Sequence, residues 1–472
     1  MRWIHPLAPE AGESADVLGG KAHGLVVLRR LGLPVPAGFV IAAEACRAFL
    51  RDGRLPAGLA AALVAAVADL QAPTHRGLDG PERPFAVSVR SGASVSMPGM
   101  MDTVLDLDLT GPRRTERLER AVVAVFSSWD TPRARTYRDI HGIPPDLGTA
   151  VTVQAMVYGD RDEHSGAGVA FSRNPNTGAA VQFGEVLFGS SGAQVVSGRA
   201  STRPLADLAD REPRAWADLR HAMARVEEHY RDACYLEFTV EAGELWLLQV
   251  RPAGFVGAAA VRVATELAGA GVIGRDQALL RVSAQDLHQV RIPRMVVDDA
   301  TDVLARGLGA CPGVTCGRIA TTSDAAARMA ATGPIILVRP ETSPLDMRGI
   351  AAAAGVVTAR GGPASHAAVV ARAMGKPAVV GIGDLTVTET SVRVGGRTIA
   401  GGTRIAIDGT GGEVVLGAPR TTTAMAEPHL RQLLEWADEV SGENSERAEI
   451  DRLDAAQAAL RDLASLPGAS AG

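Results

Sequence analysis

The sequence predicts an α/β and α+β multidomain fold, on three observations. The chain has 472 residues, enough for two to four domains and ample to bury separate cores. Aromatic residues are only 4% of it, while small and aliphatic residues abound, which favours helix-and-sheet layers over an aromatic-rich β-sandwich. Short runs of strand alternation recur between runs of helical spacing. Charge sets a further bound: 48 Lys and Arg against 53 Asp and Glu give a net charge of −5. A broadly basic nucleic-acid binder is excluded, and local cations must meet any anionic ligand. An apolar fraction of 46% with 21% charged residues excludes global disorder.

Cys46, Cys234, Cys311 and Cys316 are too sparse for a disulfide framework. Cys311 and Cys316 form a lone C-x4-C with no second pair and no nearby His, so free thiols are the better reading than zinc. The N-terminus carries no apolar signal-peptide run. No stretch reaches the ~20 unbroken apolar residues of a membrane span, since Arg372 and Lys376 interrupt AAVVARAMGKPAVVG. The expectation is a soluble, reducing, cytoplasmic protein with neither nucleic acid nor membrane as partner.

Taken in order, Gly19 and Gly20 open a loop, a short helix carries Leu25, Val26 and Leu28, Gly32 and Pro34 stop it, and GFVI begins a strand. Residues 57–72 have helical spacing. Residues 85–109 read as strand, a loop rich in Ser, Gly and Met, then strand. Residues 114–140 are helical and arginine-rich, and 148–160 alternate again. LEFTVEAGELWLLQV at 236–250 is a hairpin turning at EAGE. Residues 256–295 read as helical linker. A compact block with strands PIILV, AVVG, RIAIDG and EVVLG runs from about 305 to 420, and helix without any strand signal is expected from Thr421 on. The last residues, PGASAG, read as frayed.

Three of these elements suit polyphosphate chemistry. Lys21 follows two glycines at a helix start, where free N–H groups and the helix dipole attract anions. Taken alone, a solvated lysine is the better reading. Arg90 ends a strand and leads into SGASVSMPGMMDT, whose small residues would let backbone N–H groups approach phosphate oxygens. Taken alone it is equally an ordinary loop. Glu237 and Gln249 lie on opposite arms of the hairpin, with Arg251 on the face of Gln249. A carboxylate facing an amide oxygen suits Mg2+ held with nucleotide phosphates, and the arginine suits a transferring phosphoryl group. The plainer alternative is a cross-strand polar pair.

TARGGPASHAAVVARAMGKPAVVG at 358–381 carries the sharpest signal. Gly361 and Gly362 make a turn, Ser365 caps a helix and His366 opens it, and Gly375 and Pro377 end it. A helix N-terminus disfavours an imidazolium, so the ring stays neutral and nucleophilic near pH 7. The same helix start would welcome a phosphoryl dianion.

These residues resemble the pyruvate, phosphate dikinase family of phosphoenolpyruvate-utilising enzymes. GGKAHGL…LGLPVPAGF, SVRSGASVSMPGMMDT, SWDTPRARTYRDIHGIPPDLGTAVTVQAMVYGD and LEFTVEAGELWLLQVRP resemble its N-terminal nucleotide-binding half, an ATP-grasp fold. GG-x-x-SHAA-x-x-AR resembles its swivelling phosphohistidine domain. The resemblance implies an ATP-grasp domain over 1–255, a helical linker over 256–304, the phosphohistidine domain over 305–420 and a helical tail over 421–472. It makes His366 the phosphocarrier, with Arg90 and Arg251 catalytic beside it. Lys21, Arg90 and Arg251 bind ATP phosphates, and Glu237 and Gln249 hold Mg2+. Gln154, Met156 and Val157 lie by the adenine, and Glu185 falls on a family acid. The loop 92–103, with Gly99, Met101, Asp102 and Thr103, closes over the transferred phosphate.

The sequence also departs from the family. Tyr235 stands where members carry Asp, Ala193 where they carry an acid, and Ala364 where dikinases carry Thr. A segment after the MMDT strand is shortened, and no strands of a C-terminal pyruvate- and phosphoenolpyruvate-binding barrel follow. The function implied is a truncated dikinase-like phosphotransferase. ATP and inorganic phosphate would leave AMP, pyrophosphate and phosphate on His366, for transfer to pyruvate or another acceptor on a separate barrel protein. The alternative is a catalytically weakened nucleotide-binding regulatory protein of the same fold, supported by Tyr235 and Ala193. A phosphotransferase acting on a small molecule is a third reading, for which no acceptor domain is visible. The oligomeric state is left open.

Overall fold

β-Branched and small residues at alternate positions build two antiparallel sheets in the first half of the chain and a mixed sheet in the second. The computed structural model describes residues 2–71, 85–95, 97, 100–190, 202–290, 292–299, 301–362, 365–424, 427–442 and 446–465. The first sheet contains β1 (Ile4–Pro6), β2 (Gly38–Ile41), β3 (Ala86–Gly92), β4 (Thr103–Asp108) and β5 (Ala150–Ala155), in the order β1-β2-β5-β3-β4. Period two divides its faces. Val87, Val89, Val151 and Val153 pack with Leu63, Val122 and Phe126 from the covering helices. Ser88, Arg90, Thr152 and Gln154 take the other face.

The second sheet contains β6 (Gly166–Phe171), β7 (Phe183–Phe188), β8 (Arg203–Pro204), β9 (Cys234–Glu241) and β10 (Glu244–Pro252), in the order β10-β9-β6-β7-β8. Helix α1 (Ala15–Arg30) contacts both sheets. Its Leu18, Ala22, Leu25 and Val26, at helical spacing, share a core with Leu236, Phe238, Leu247 and Val250. The helix starts earlier than the two glycines suggest and runs through them. It is broken at Gly19, whose φ of 77° and ψ of 152° are not helical.

In the second half, four strands run parallel in the order Val314–Ala320, Ile335–Arg339, Gly355–Thr358, Ala378–Val380, within an eight-stranded sheet. The helix His366–Ala373 is the crossover between the last two, as parallel pairing requires. Ala367, Ala368, Val370 and Ala371 bury it against Ala310, Val356 and Val380.

Residues 256–304 and the stretch after Thr421 are expected as helix alone, and the structure differs. Ile292–Met295 pairs antiparallel with Thr421–Ala424. Strands of four residues are too short to register as alternation. The helices on either side of them, Ala258–Gly269, Arg275–Arg281, Ala284–Val290, Glu427–Ser441 and Glu449–Ser465, share one core containing Val261, Leu279, Leu287, Leu433 and Leu453. Among the described residues no helix is long and apolar enough to cross a membrane.

Leu433 is fully buried in that helical core. Leu433→Ala is expected to lower the unfolding free energy by about 2–5 kcal/mol, measured by urea denaturation. An unchanged midpoint would show that the terminal helices are not part of the folded core.

Candidate active site

The polar face of the first sheet supplies the first half of the site. Arg90 and Thr152 are direct cross-strand partners, and Arg90 Nη1 and Thr152 Oγ1 are buried with no hydrogen-bond partner among the described residues. The backbone after Arg90 lies against the break in α1. Gly20 N donates to Ala93 O at 3.0 Å, and a Cβ at Gly19 would overlap the Gly92 carbonyl. Only glycine fits there, on steric grounds and on φ. The break lets α1 restart at Gly20, so Lys21 sits in the first turn of its second part, beside Gly92. Burial pushes the Lys21 ammonium down to about 8, helped by Arg90 and Arg251 and opposed by Glu237. Burial likewise holds the Arg90 guanidinium below its ordinary value, against the pull of Glu237.

The hairpin supplies the second half. Glu244 opposes Glu241 at its closed end, and a bulge falls between Leu247 and Gln249. The unshifted register would put Leu248 opposite Glu237. The extra residue instead places Gln249 opposite Glu237 and Arg251 opposite Tyr235. Leu247 and Val250 still pack toward α1. The row continues across the sheet, because Glu237 opposes Val169, and Val169 opposes Glu185. In the next row on that face Tyr235 opposes Phe171, ring edge to ring face at 4.9 Å. The Arg251 guanidinium lies 4.3 Å over the Tyr235 ring. The Tyr235 hydroxyl donates to Glu237 Oε1 at 3.4 Å. Lys21, Arg90, Arg251 and Glu237 are therefore brought together as the sequence implies, with an excess of positive charge suited to a polyanion.

Other predicted residues are placed less centrally. Gln154 is buried in the first sheet, its Nε2 donating to Pro36 O at 3.2 Å and its Oε1 without a partner among the described residues. β5 ends at Ala155, so Met156 and Val157 lie in the connection beyond it, not in a strand. Thr103 opposes Arg90. Asp102 is exposed and paired with Arg133. Met101 is partly buried against the small core of Met97, Met100 and Trp129. Gly99, Ala193 and Ala364 fall outside the described residues.

His366 follows the carboxyl end of a parallel strand, where α/β sheets place their ligands. Ser365 Oγ accepts from Ala368 N at 3.4 Å, the expected cap. The partly buried imidazole has Nδ1 3.1 Å from Thr342 Oγ1, and its buried Nε2 has no partner among the described residues. Burial lowers the ring's pKa, against an opposing pull from Asp346. The loop before the helix touches the second sheet. A Cβ at Gly362 would overlap the Glu185 carboxylate, which also accepts from Thr202 Oγ1 at 2.6 Å. Arg372, on the same helix, donates to Ala310 O at 2.9 Å and lies 5.8 Å over the Phe171 ring.

Two family models match. Residues 50–206 fit the AMP/ATP-binding domain of pyruvate phosphate dikinase, and residues 331–412 the mobile domain of PEP-utilising enzymes. A pyruvate, phosphate dikinase of Rhizobium meliloti (strain 1021) is 34% identical over 93% of this chain and 60% of its own length. That of Clostridium symbiosum is 32% identical over the same shares, and pyruvate, phosphate dikinase 2 of Oryza sativa subsp. japonica 34% over 90% and 58%. In both halves the chain is similar to pyruvate, phosphate dikinases. It spans about 60% of the length of these relatives. A crystal structure of the D-cycloserine synthetase DcsG overlaps half of the chain at TM-score 0.28 and 13% identity, too slight a likeness to argue from.

Two residues escape the sequence reading. Thr152 stands two before Gln154 in AVTVQA, and a polar pair at period two in an apolar strand was the available signal. Thr342 lies 24 residues before His366, and nothing local joins them.

The folded-state pKa of Lys21, about 8, lies below its ordinary 10.5. Between those values the unfolded chain binds more protons, so unfolding free energy rises with pH across that window. Lys21→Met is expected to lose this rise and to be more stable than the parent below pH 8, as read from urea unfolding at pH 7, 9 and 10. Parallel curves for the two proteins would place Lys21 in solvent.

Proposed function

We propose that this chain transfers phosphate from ATP to Nε2 of His366, in a phosphate-dependent reaction that gives AMP and pyrophosphate. The observation carrying the proposal is the seat of the Gly362 loop on Glu185, in the same cross-strand row as Glu237 and Gln249 and one row from Arg251. It brings the start of the histidine helix to the sheet face that bears the phosphate-binding charges. Domain limits near residues 255, 304 and 420 belong to the same proposal.

Lys21, Arg90 and Arg251 neutralise and orient the phosphates, and positioning with charge neutralisation is most of what phosphoryl transfer needs. The polar row Thr152–Gln154 extends the cleft toward the connection at Met156 and Val157, where the base would lie. Glu237 and Gln249 pair a hard anionic oxygen with a neutral one, a donor set that fits Mg2+. When bound, Mg2+ supplies neutralisation of charge on the phosphates. Thr342 sets the tautomer of His366. With the proton on Nδ1 donated to Thr342 Oγ1, the lone pair is left on Nε2, the buried atom without a partner. Burial keeps that ring neutral to more acid pH than usual. The phosphorylated histidine then serves an acceptor, for which we propose a separate pyruvate- or phosphoenolpyruvate-binding protein. A catalytically weakened, nucleotide-sensing role is the second reading, favoured by the Tyr235 hydroxyl on Glu237.

Incubation with Mg2+, phosphate and ATP labelled at the β position tests the proposal. Acid-labile label is expected on the parent and absent from His366→Ala. ATP binding without label would support the second reading. Thr342→Val is expected to slow labelling by about 10–100-fold, as loss of an orienting partner does elsewhere, with ATP affinity unchanged. The acid limb of the labelling rate is expected below the ordinary imidazole value of 6.5. A limb at or above 6.5 would mean that the nucleophilic ring is solvated.

A further inference from the structure

We infer that Tyr235 makes the phosphate end of this cleft a one-cation site, with Glu237 and Gln249 as its protein ligands and the Arg251 guanidinium where a second cation would stand. The inference rests on the nucleotide-binding reading and specifies its metal requirement. A hard divalent cation needs several oxygens, carboxylates foremost. Along the row Gln249, Glu237, Val169, Glu185, the two acids are separated by a valine strand. Two strand spacings put their backbones about 9.5 Å apart, and the Glu185 carboxylate is turned to Thr202 and the Gly362 loop. It does not join Glu237 around a common ion.

The next row offers nothing anionic. Tyr235 fills it with a ring wedged against Phe171, its hydroxyl donates to the Glu237 oxygen on that side, and Arg251 covers it at 4.3 Å. A second cation beside Glu237 would displace a hydrogen-bond donor and meet a guanidinium. No group of three or more His, Cys, Asp or Glu among the described residues could hold a metal, and residues 191–201 contain no carboxylate in sequence. Arginine does part of the work of an ion here, because its charge is fixed and its donors suit phosphate oxygens. Tyr235 thus determines cation number without touching the reacting atoms.

The test counts Mn2+ bound to the full chain at saturating β,γ-methylene-ATP, by electron paramagnetic resonance of free Mn2+, with nucleotide binding measured in parallel. One Mn2+ per bound nucleotide is expected for the parent and for Tyr235→Phe, and two for Tyr235→Asp. Glu237→Gln should weaken the single Mn2+ at least tenfold. Two Mn2+ on the parent or on Tyr235→Phe overturns the inference, as does a count of one on a Tyr235→Asp chain that still binds nucleotide. The first two counts decide the matter even where an aspartate in this buried seat unfolds the chain. Failure of the parent to bind nucleotide at all defeats the proposed function instead, so the two ideas fail separately.

Discussion

A single extra residue in β10 sets the geometry on which the hairpin's charged face depends. Strand side chains alternate strictly, so an unbulged hairpin would place Leu248 opposite Glu237 and turn Gln249 and Arg251 toward the α1 core. The bulge after Leu247 changes the face once and leaves apolar residues on both sides of it still buried. Leu247 and Val250 hold α1 from one face, while Gln249 and Arg251 join Glu237 and Tyr235 on the other. The charged pattern of the sequence and the packing of the core are reconciled at that one point. The contacts that Gln249 and Arg251 make on the hairpin's polar face follow from it.

The cations gathered there are costly to bury, and the chain accepts the cost. Lys21 and Arg90 are both shifted in the direction that burial imposes, with Glu237 only partly offsetting it. Arg90 Nη1 and Thr152 Oγ1 lie buried and unpartnered among the described residues. Buried polar atoms in that condition are rare in folded proteins, and a polyanion with many acceptor oxygens would satisfy them. Nε2 of His366 is likewise buried without a partner among the described residues. These orphaned atoms lie on one sheet and one helix start, which is why a local structural explanation does not serve.

Much of this was legible in the sequence, for identifiable reasons. The hairpin declared itself through alternation around EAGE, and the histidine helix through Ser365, Gly375 and Pro377, because turns and caps are local chemistry. Long-range partners were not legible. The Thr342 bond to His366 spans 24 residues, and the sheet between Ile292–Met295 and Thr421–Ala424 joins segments too short for any period to show. The break in α1 was read as a helix start because glycines normally stop helices. Its real cause is the approach of the Gly92 carbonyl, a contact no local pattern encodes. For His366, the dipole argument gives the right direction for the imidazole, but the cause in the structure is burial, opposed by Asp346.

The two halves of the chain meet at a narrow seat. Gly362 lies so close to Glu185 that no side chain fits, and Arg372 reaches from the histidine helix to Phe171, which in turn supports Tyr235. The guanidinium of Arg372 is buried enough to be pushed down to about 10. A small backbone seat, one cation over an aromatic ring and the Asn176 Nδ2 bond to Gly309 O at 2.6 Å fix where the two halves meet. Glu185 belongs to this seat and, one strand beyond Val169, to the row that carries Glu237. Charge arriving on that row therefore changes the field at the seat itself. Glu185 thus ties the seat of the Gly362 loop to the strand row that carries Glu237.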